Sequence, residues 1–208
     1  MGSESLGEKK KKFSIIHWVG IVFAVLFVIG SINEPDQPKE ASSSANTAKE
    51  VKIATPSDQE QFINTIENYV NGFREAKNEL QQSVLRDQRK TELAKLMGGR
   101  SVSSWVGTIS QLETNTEGKA ILSIRISPHV EIKTWNNTFS DINSNTLIAK
   151  GSELYSSLLN LSRGQKVQFS GSFFSSEADY IEETSITIEG SMRNPEFLFK
   201  FKSVKPIN

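Results

Sequence analysis

Hydrophobic positions along this chain fall into three successive patterns. Residues Phe13 to Ile32 read FSIIHWVGIVFAVLFVIGSI, an apolar run broken in polarity only by Ser14, His17 and Ser31, with Lys9, Lys10, Lys11 and Lys12 directly in front of it. About twenty helical residues at 1.5 Å each span roughly 30 Å, the thickness of a bilayer's hydrocarbon core. The run predicts one transmembrane helix over 13–32. From Phe62 to Ser83 the apolar positions alternate steps of four and three (Phe62, Ile66, Tyr69, Phe73, Ala76, Leu80, Ser83), which is a helical seam. From Ser101 onward the period becomes two, the spacing of strands that bury one face.

Between the first two patterns, residues 33–55 are rich in Pro, Ser, Ala, Asn, Lys and Glu and nearly free of large apolar side chains. Such a stretch cannot bury enough surface to offset its ordering entropy, so it reads as a flexible linker. Pro56 suits a first helical turn, Ser57 and Glu60 have capping-box spacing, and Gly98-Gly99 is a stop signal. A single long helix over 56–97 is expected. Its seam fails after Val84, where Asp87, Gln88 and Thr91 take the apolar positions. Three arrangements stay open: a homotypic coiled coil that makes a homo-oligomer through 62–83, a helix hairpin broken near Asp87, or a helix laid against the C-terminal domain.

In the C-terminal part, Trp105, Gly107 and Ile109 alternate with Val106 and Thr108, and Ala120, Leu122, Ile124 and Ile126 alternate with Ile121, Ser123 and Arg125. Val130, Ile132 and Thr134 continue the pattern after Pro128, as a further strand or as a bent extension. An Asn/Ser/Asp loop follows from Asn136 to Asn145. Leu154, Leu158 and Leu161 then share a helical face that ends at Arg163-Gly164. Val167, Phe169 and Phe173 form a strand with a bend at Gly171. Ile186 with Ile188, and Phe197, Phe199 and Phe201, predict two last strands joined by a turn over Ser191–Pro195. Strands, one short helix and further strands follow the order of the OB-fold, a five-stranded Greek-key barrel. The fold class expected is a transmembrane helix, a long α-helix and an OB-fold-like β-barrel over 101–208. The segments Trp105–Ile109, Thr146-Leu147-Ile148, Ser152–Tyr155 and Arg163–Gly171 (RGQKVQFSG) resemble the bacterial OB-type domains of the tRNA-anti-like sort, found in membrane-anchored or lipid-anchored proteins. That resemblance covers about the last hundred residues and implies a fold and a binding role, with no substrate and no catalytic motif.

Charge narrows the function. The chain carries 24 basic and 24 acidic residues. From Arg100 onward the two signs also balance. Eleven bases (Arg100, Lys119, Arg125, Lys133, Lys150, Arg163, Lys166, Arg193, Lys200, Lys202, Lys205) meet eleven acids (Glu113, Glu117, Glu131, Asp141, Glu153, Glu177, Asp179, Glu182, Glu183, Glu189, Glu196). An oligonucleotide-binding barrel needs a basic groove beside exposed aromatics, so nucleic acid is not the expected partner. With no cysteine, disulfides and thiolate chemistry are excluded. His129 stands alone outside the apolar run and reads as a turn residue rather than a general base, and no glycine-rich phosphate loop or G-x-S-x-G motif occurs. No cofactor or metal is expected and no catalytic role, with an oligonucleotide-binding protein and an enzyme of unrecognised type as the alternatives. Glu177, Asp179, Glu182 and Glu183 read as a solvated acidic loop, with a hard-cation site as the alternative. The candidate contact surface is Trp135, Asn137, Phe139 and Asp141 in the Asn-rich loop, together with Tyr180. Aromatics among polar residues suit a patch that is apolar in the middle and wet at its edge. The alternative is that Trp135 and Phe139 close the barrel end beneath the loop.

Lysines beside a span stay cytoplasmic, which puts residues 1–12 inside and the C-terminal domain outside a bacterial inner membrane. A cleaved signal peptide has a shorter apolar core, about 7–15 residues, and a small-x-small site that Gly30-Ser31-Ile32 fits poorly. His17, beside Trp18, reads as an interfacial anchor, and Gly20 with Ala24 as a weak helix-pairing motif. Another envelope protein is the expected partner.

Overall fold

The computed structural model describes residues 54–207. The tail, the apolar run with His17, Gly20 and Ala24, and nearly all of the linker lie outside the described residues. Among those described, no helix is long and apolar enough to cross a membrane.

Two helices come first, α1 (Ser57–Glu75) and α2 (Glu79–Leu96). The expected single helix over 56–97 is therefore interrupted, and at Ala76–Asn78 rather than near Asp87. Ala76 is extended, and Asn78 caps α2: its side chain accepts from Gln81 N at 3.0 Å, while Gln81 Oε1 accepts from Lys77 N at 2.8 Å. This pair of reciprocal bonds restarts the helix in a new direction. The Ser57–Glu60 box does not form, because α1 already begins at Ser57 and no side chain caps it. α2 folds back on α1, with Leu85 against Gly72, and burial together with the nearby Glu92 carboxylate pushes the Tyr69 hydroxyl up.

The strands β1 (Ser101–Thr114), β2 (Ala120–Arg125), β3 (Glu131–Lys133), β4 (Lys166–Phe173) and β7 (Glu196–Pro206) close a barrel in the order β1-β2-β3-β7-β4. Only the β3–β7 pairing is parallel. This mixed five-stranded barrel is compatible with an OB-fold-like domain. Between β3 and β4 lie two short helices, α3 (Thr138–Asp141) and α4 (Glu153–Leu158). Between β4 and β7 lie the small pair β5 (Ser175–Ser176) and β6 (Tyr180–Ile181), then α5 (Ile188–Arg193). The expected strand through Ile186 and Ile188 is thus a correction. Ile186 is 99% exposed, and Thr187 caps α5 by accepting from Gly190 N at 3.0 Å. The expected bend at Gly171 is present as a register shift in the β4–β7 ladder. A Cβ there would overlap the Lys200 carbonyl and sit 2.5 Å from the Phe199 ring, so only glycine lets β4 and β7 close.

Phe197, Phe199 and Phe201 point into the barrel with Phe169, Phe173 and Trp105. α1 covers one end of it. Phe62 lies 5.2 Å from the Trp105 ring, 5.5 Å from Phe173 and 5.3 Å from Phe197, and Ile66 joins the same cluster. The seam residues Phe62, Ile66 and Phe73 are buried in their own chain, the arrangement in which the helix lies against the C-terminal domain. Gln59 ties α1 to β1 by donating to Val106 O at 2.6 Å and accepting from Val106 N at 2.8 Å, and Asp58 accepts from Trp105 Nε1 at 2.8 Å. At the opposite end Leu158 of α4 and Leu161 after it complete the core.

Candidate functional site

Four of the five candidate contact residues fall in one loop, over 134–147, at the barrel end that carries α3 and α4. Its shape follows from one carboxylate. Asp141 is buried, not presented: Oδ1 accepts from Thr146 N at 2.5 Å and Thr146 Oγ1 at 2.7 Å, and Oδ2 accepts from Leu147 N at 3.0 Å. Thr146 Oγ1 in turn accepts from Trp135 N at 2.8 Å, and Thr134 Oγ1 accepts from Leu122 N of β2 at 3.1 Å. Asn137 caps α3 through Ser140 N at 2.9 Å. Thr138 holds the loop to the β1–β2 turn by accepting from Asn115 Nδ2 at 3.0 Å, and Lys200 donates to Asn145 O. Half-buried Trp135 reaches Ser144 Oγ through Nε1 at 3.3 Å.

What this scaffold presents to solvent is Phe139, 85% exposed, and Ile142, 62% exposed. For Phe139 the structure selects exposure over closing the barrel end. Among the described residues it is the only aromatic in the exposed, large hydrophobic group. Ile142 was not legible as a contact residue, since one isoleucine among Asp, Asn and Ser gives no period. Replacing Asp141 with asparagine should cost about 1–3 kcal/mol, because an amide turns a donor toward one of the three donors it faces. Hydrogen exchange at the Thr146 and Leu147 amides should speed up together with the loss of stability; unchanged exchange would show that the carboxylate does not hold the loop.

Tyr180 lies elsewhere, against the entry to β1, whereas α3 lies at its exit. Its hydroxyl donates to Met97 O at 2.5 Å, its ring lies under Arg100 with the guanidinium carbon 5.4 Å from the centroid, and its φ is +69°. A bulky residue holds that backbone conformation only where its surroundings enforce it. Tyr180 therefore pins β6 to the end of α2 and does not join the Phe139 surface.

Two carboxylates of the acidic loop, Asp179 and Glu183, are held by arginines rather than solvated, while Glu177 stays exposed and Glu182 half-buried. Arg86 grips Asp179 with two bonds, Nε to Oδ1 at 2.7 Å and Nη2 to Oδ2 at 2.6 Å. Arg89, 1% exposed at its side chain, donates to Glu183 Oε1 at 2.6 Å and to Ser191 O at 2.9 Å, and lies 3.5 Å from Asp179. Lys90 donates to Glu177 O. Among the described residues no cluster of three or more His, Asp or Glu side chains is arranged to hold a metal. Burial pushes the Asp179 carboxyl up, but the two arginines outweigh it and hold it below the usual range. Glu183, 4% exposed at its side chain, is pushed up to about 8 by burial, against the pull of Arg89. A proton that the folded state binds up to about pH 8 is lost from the unfolded chain near the ordinary glutamate value, 4.5. The stability contributed by protonated Glu183 is complete below that value and disappears as pH climbs toward 8. A Glu183→Gln variant should match the parent near pH 5 and gain on it progressively up to pH 8 in urea titrations. A parent that gains on the variant as pH rises would contradict this.

His129 bridges α1 to the β2–β3 turn. Nδ1 lies 2.7 Å from Glu67 Oε2 and Nε2 lies 3.1 Å from Arg74 Nη1. A guanidinium only donates, so Nε2 accepts and Nδ1 carries the hydrogen. Burial pushes Glu67 up, yet hydrogen bonds from Ser127 and His129 outweigh it and lower its value.

The outer side of β2 and β3, where barrels of this topology hold strands of nucleic acid, carries ion pairs. Arg125 meets Glu131 at 2.6 Å, and Lys133 meets Glu196 at 3.0 Å. The neighbouring turn pairs Lys119 with Glu117 at 2.9 Å. Fold and surface together define a helix-capped five-stranded barrel domain whose Asn-rich loop is immobilised around an exposed Phe-Ile pair. No family model matches the chain, and no curated protein matches it.

Proposed function

We propose that this is a membrane-anchored, non-catalytic interaction module, with the barrel outside a bacterial inner membrane and the Phe139–Ile142 loop contacting another envelope protein. The observation that carries the reading is an exposed phenylalanine on a loop already immobilised by Asp141. Exposing a large ring loses hydrophobic stabilisation. A loop ordered in advance also spares a partner the entropy of ordering it. The Asn and Ser side chains around the pair supply a polar rim. Membrane attachment and sidedness rest on the Phe13–Ile32 run and Lys9–Lys12. The resemblance to tRNA-anti-like domains agrees with a binding role and with this anchoring. The paired cations on β2 and β3 weigh against oligonucleotide binding.

The test is a Phe139→Ser, Ile142→Ser double variant of the full chain, expressed from its own locus and purified with whatever travels with it. Both residues are exposed, so the melting temperature should stay within a few degrees. One specific co-purifying protein should be lost while others remain. Retention of every co-purifying protein, or salt-sensitive capture on single-stranded DNA, would defeat the reading.

A further inference from the structure

The β4–β7 ladder turns a polar face to solvent, and one irregularity decides its charge. Ser170 pairs with Ser203 and Gly171 with Phe201, so Lys202 has no partner on β4 and is the extra residue of a bulge. Phe201 points into the barrel, and so does Val204. Strict alternation after Phe201 would turn Ser203 and Lys205 inward. The bulge reverses the alternation, and Lys205 joins Lys200 and Lys202 outside. On β4 the outward positions are Lys166, Gln168, Ser170 and Ser172, with Gln168 opposite Lys205 and Ser172 opposite Lys200. No outward position of this ladder carries an acid or an aromatic ring. On β2, β3 and the neighbouring turn the bases are paired with acids. Here, among the described residues, Lys200, Lys202 and Lys205 enter no ion pair, and the Lys200 ammonium donates to a neutral group, the Asn145 carbonyl.

We infer that this face docks on the anionic phospholipid headgroups of the membrane that holds the chain. The inference rests on the membrane attachment proposed above and is independent of the Phe139 contact. Three lysines on one side of a strand complement a layer of phosphates, and each strengthens association with an anionic surface about fivefold. The serine hydroxyls and the Gln168 amide add neutral donors for phosphate oxygens. Single-stranded nucleic acid would want rings on which its bases stack, and this face has none. Residues 33–53, at up to about 3.3 Å each, reach about 70 Å, so the face can meet the bilayer. The tether also keeps it there at high local concentration.

The full chain is reconstituted in nanodiscs of phosphatidylcholine, with or without phosphatidylglycerol. Its lysines are acetylated with an N-hydroxysuccinimide ester, and the adducts are read by mass spectrometry. Phosphatidylglycerol should slow labelling of Lys200, Lys202 and Lys205 by about fivefold or more. Lys77 and Lys95, exposed on the helical hairpin, should keep their rates. High salt should abolish the difference. A Lys202→Gln, Lys205→Gln double variant should lose the protection of Lys200 at an unchanged melting temperature, whereas Lys202→Arg, Lys205→Arg should keep it. A chain that stays out of the discs would defeat the membrane attachment and this inference with it. Three results would overturn this inference alone: equal labelling in both lipids by a chain that enters the discs, an arginine variant that behaves like the glutamine one, or equal protection by single-stranded DNA in phosphatidylcholine discs.

Discussion

Replacing Arg89 with leucine should destabilise the domain by about 3–5 kcal/mol, the cost of removing one partner from a buried ionic cluster. The guanidinium is almost fully enclosed, with bonds to two points, Glu183 and the Ser191 carbonyl, and Asp179 3.5 Å away. Leucine fills much of the volume but leaves the Glu183 carboxyl and the Ser191 carbonyl without their donor, and Asp179 with Arg86 alone. The contrasting substitution is Arg125→Leu. Its pair with Glu131 is just as short, 2.6 Å, but Arg125 is more than half exposed, so water takes over the contact and the loss should stay under about 1 kcal/mol. Urea titration of both variants separates the cases. Equal effects would mean that the Arg89 cluster adds no more than a surface pair.

Phe62→Ala should be comparably severe, about 3–5 kcal/mol, from lost transfer free energy and the cavity left among Trp105, Phe173 and Phe197. The mechanism differs: the Arg89 loss is electrostatic and falls on α2, whereas Phe62 is the apolar plug that α1 inserts into the barrel end. The same reasoning makes residues 54–97 part of the barrel's own core, so a 101–208 fragment should fail to reach a native fold. Leu80→Ala, on the exposed face of α2, should change stability by no more than about 0.5 kcal/mol. A denaturation midpoint for Phe62→Ala close to that of Leu80→Ala would show that the helices merely rest on the barrel.

How far the sequence could be read follows from which signals are local. The strands β1, β2, β4 and β7 announce themselves by alternation, and Gly171 by its place within one. The helical seam was visible as well, though not what it would face: Phe62 and Ile66 have the same period whether the other side is a second copy or a barrel. The break at Asn78 had a local sign, the Asn78-x-x-Gln81 capping pair, hidden inside an apolar pattern that runs through it. Ile186 and Ile188 imitated a strand because two alternating isoleucines fit that period. Thr187 capping Gly190 N decided for α5 instead. The role of the acidic loop was not legible, because Arg86 and Arg89 sit about ninety residues away from the carboxylates they hold. Asp141 shows the limit at the candidate site. A polar residue in a polar loop reads as surface, and only the fold reveals that three donors converge on it.

Site-specific photo-crosslinking in intact cells is the most direct test of the contact surface. A benzophenone amino acid replaces Phe139 in the full chain, with the same group at Leu80 as a control, since both positions are exposed but at different parts of the domain. The account predicts a discrete, light-dependent adduct with one envelope protein from position 139 and none of the same mass from position 80. No adduct from 139, or the same adducts from both positions, would contradict it.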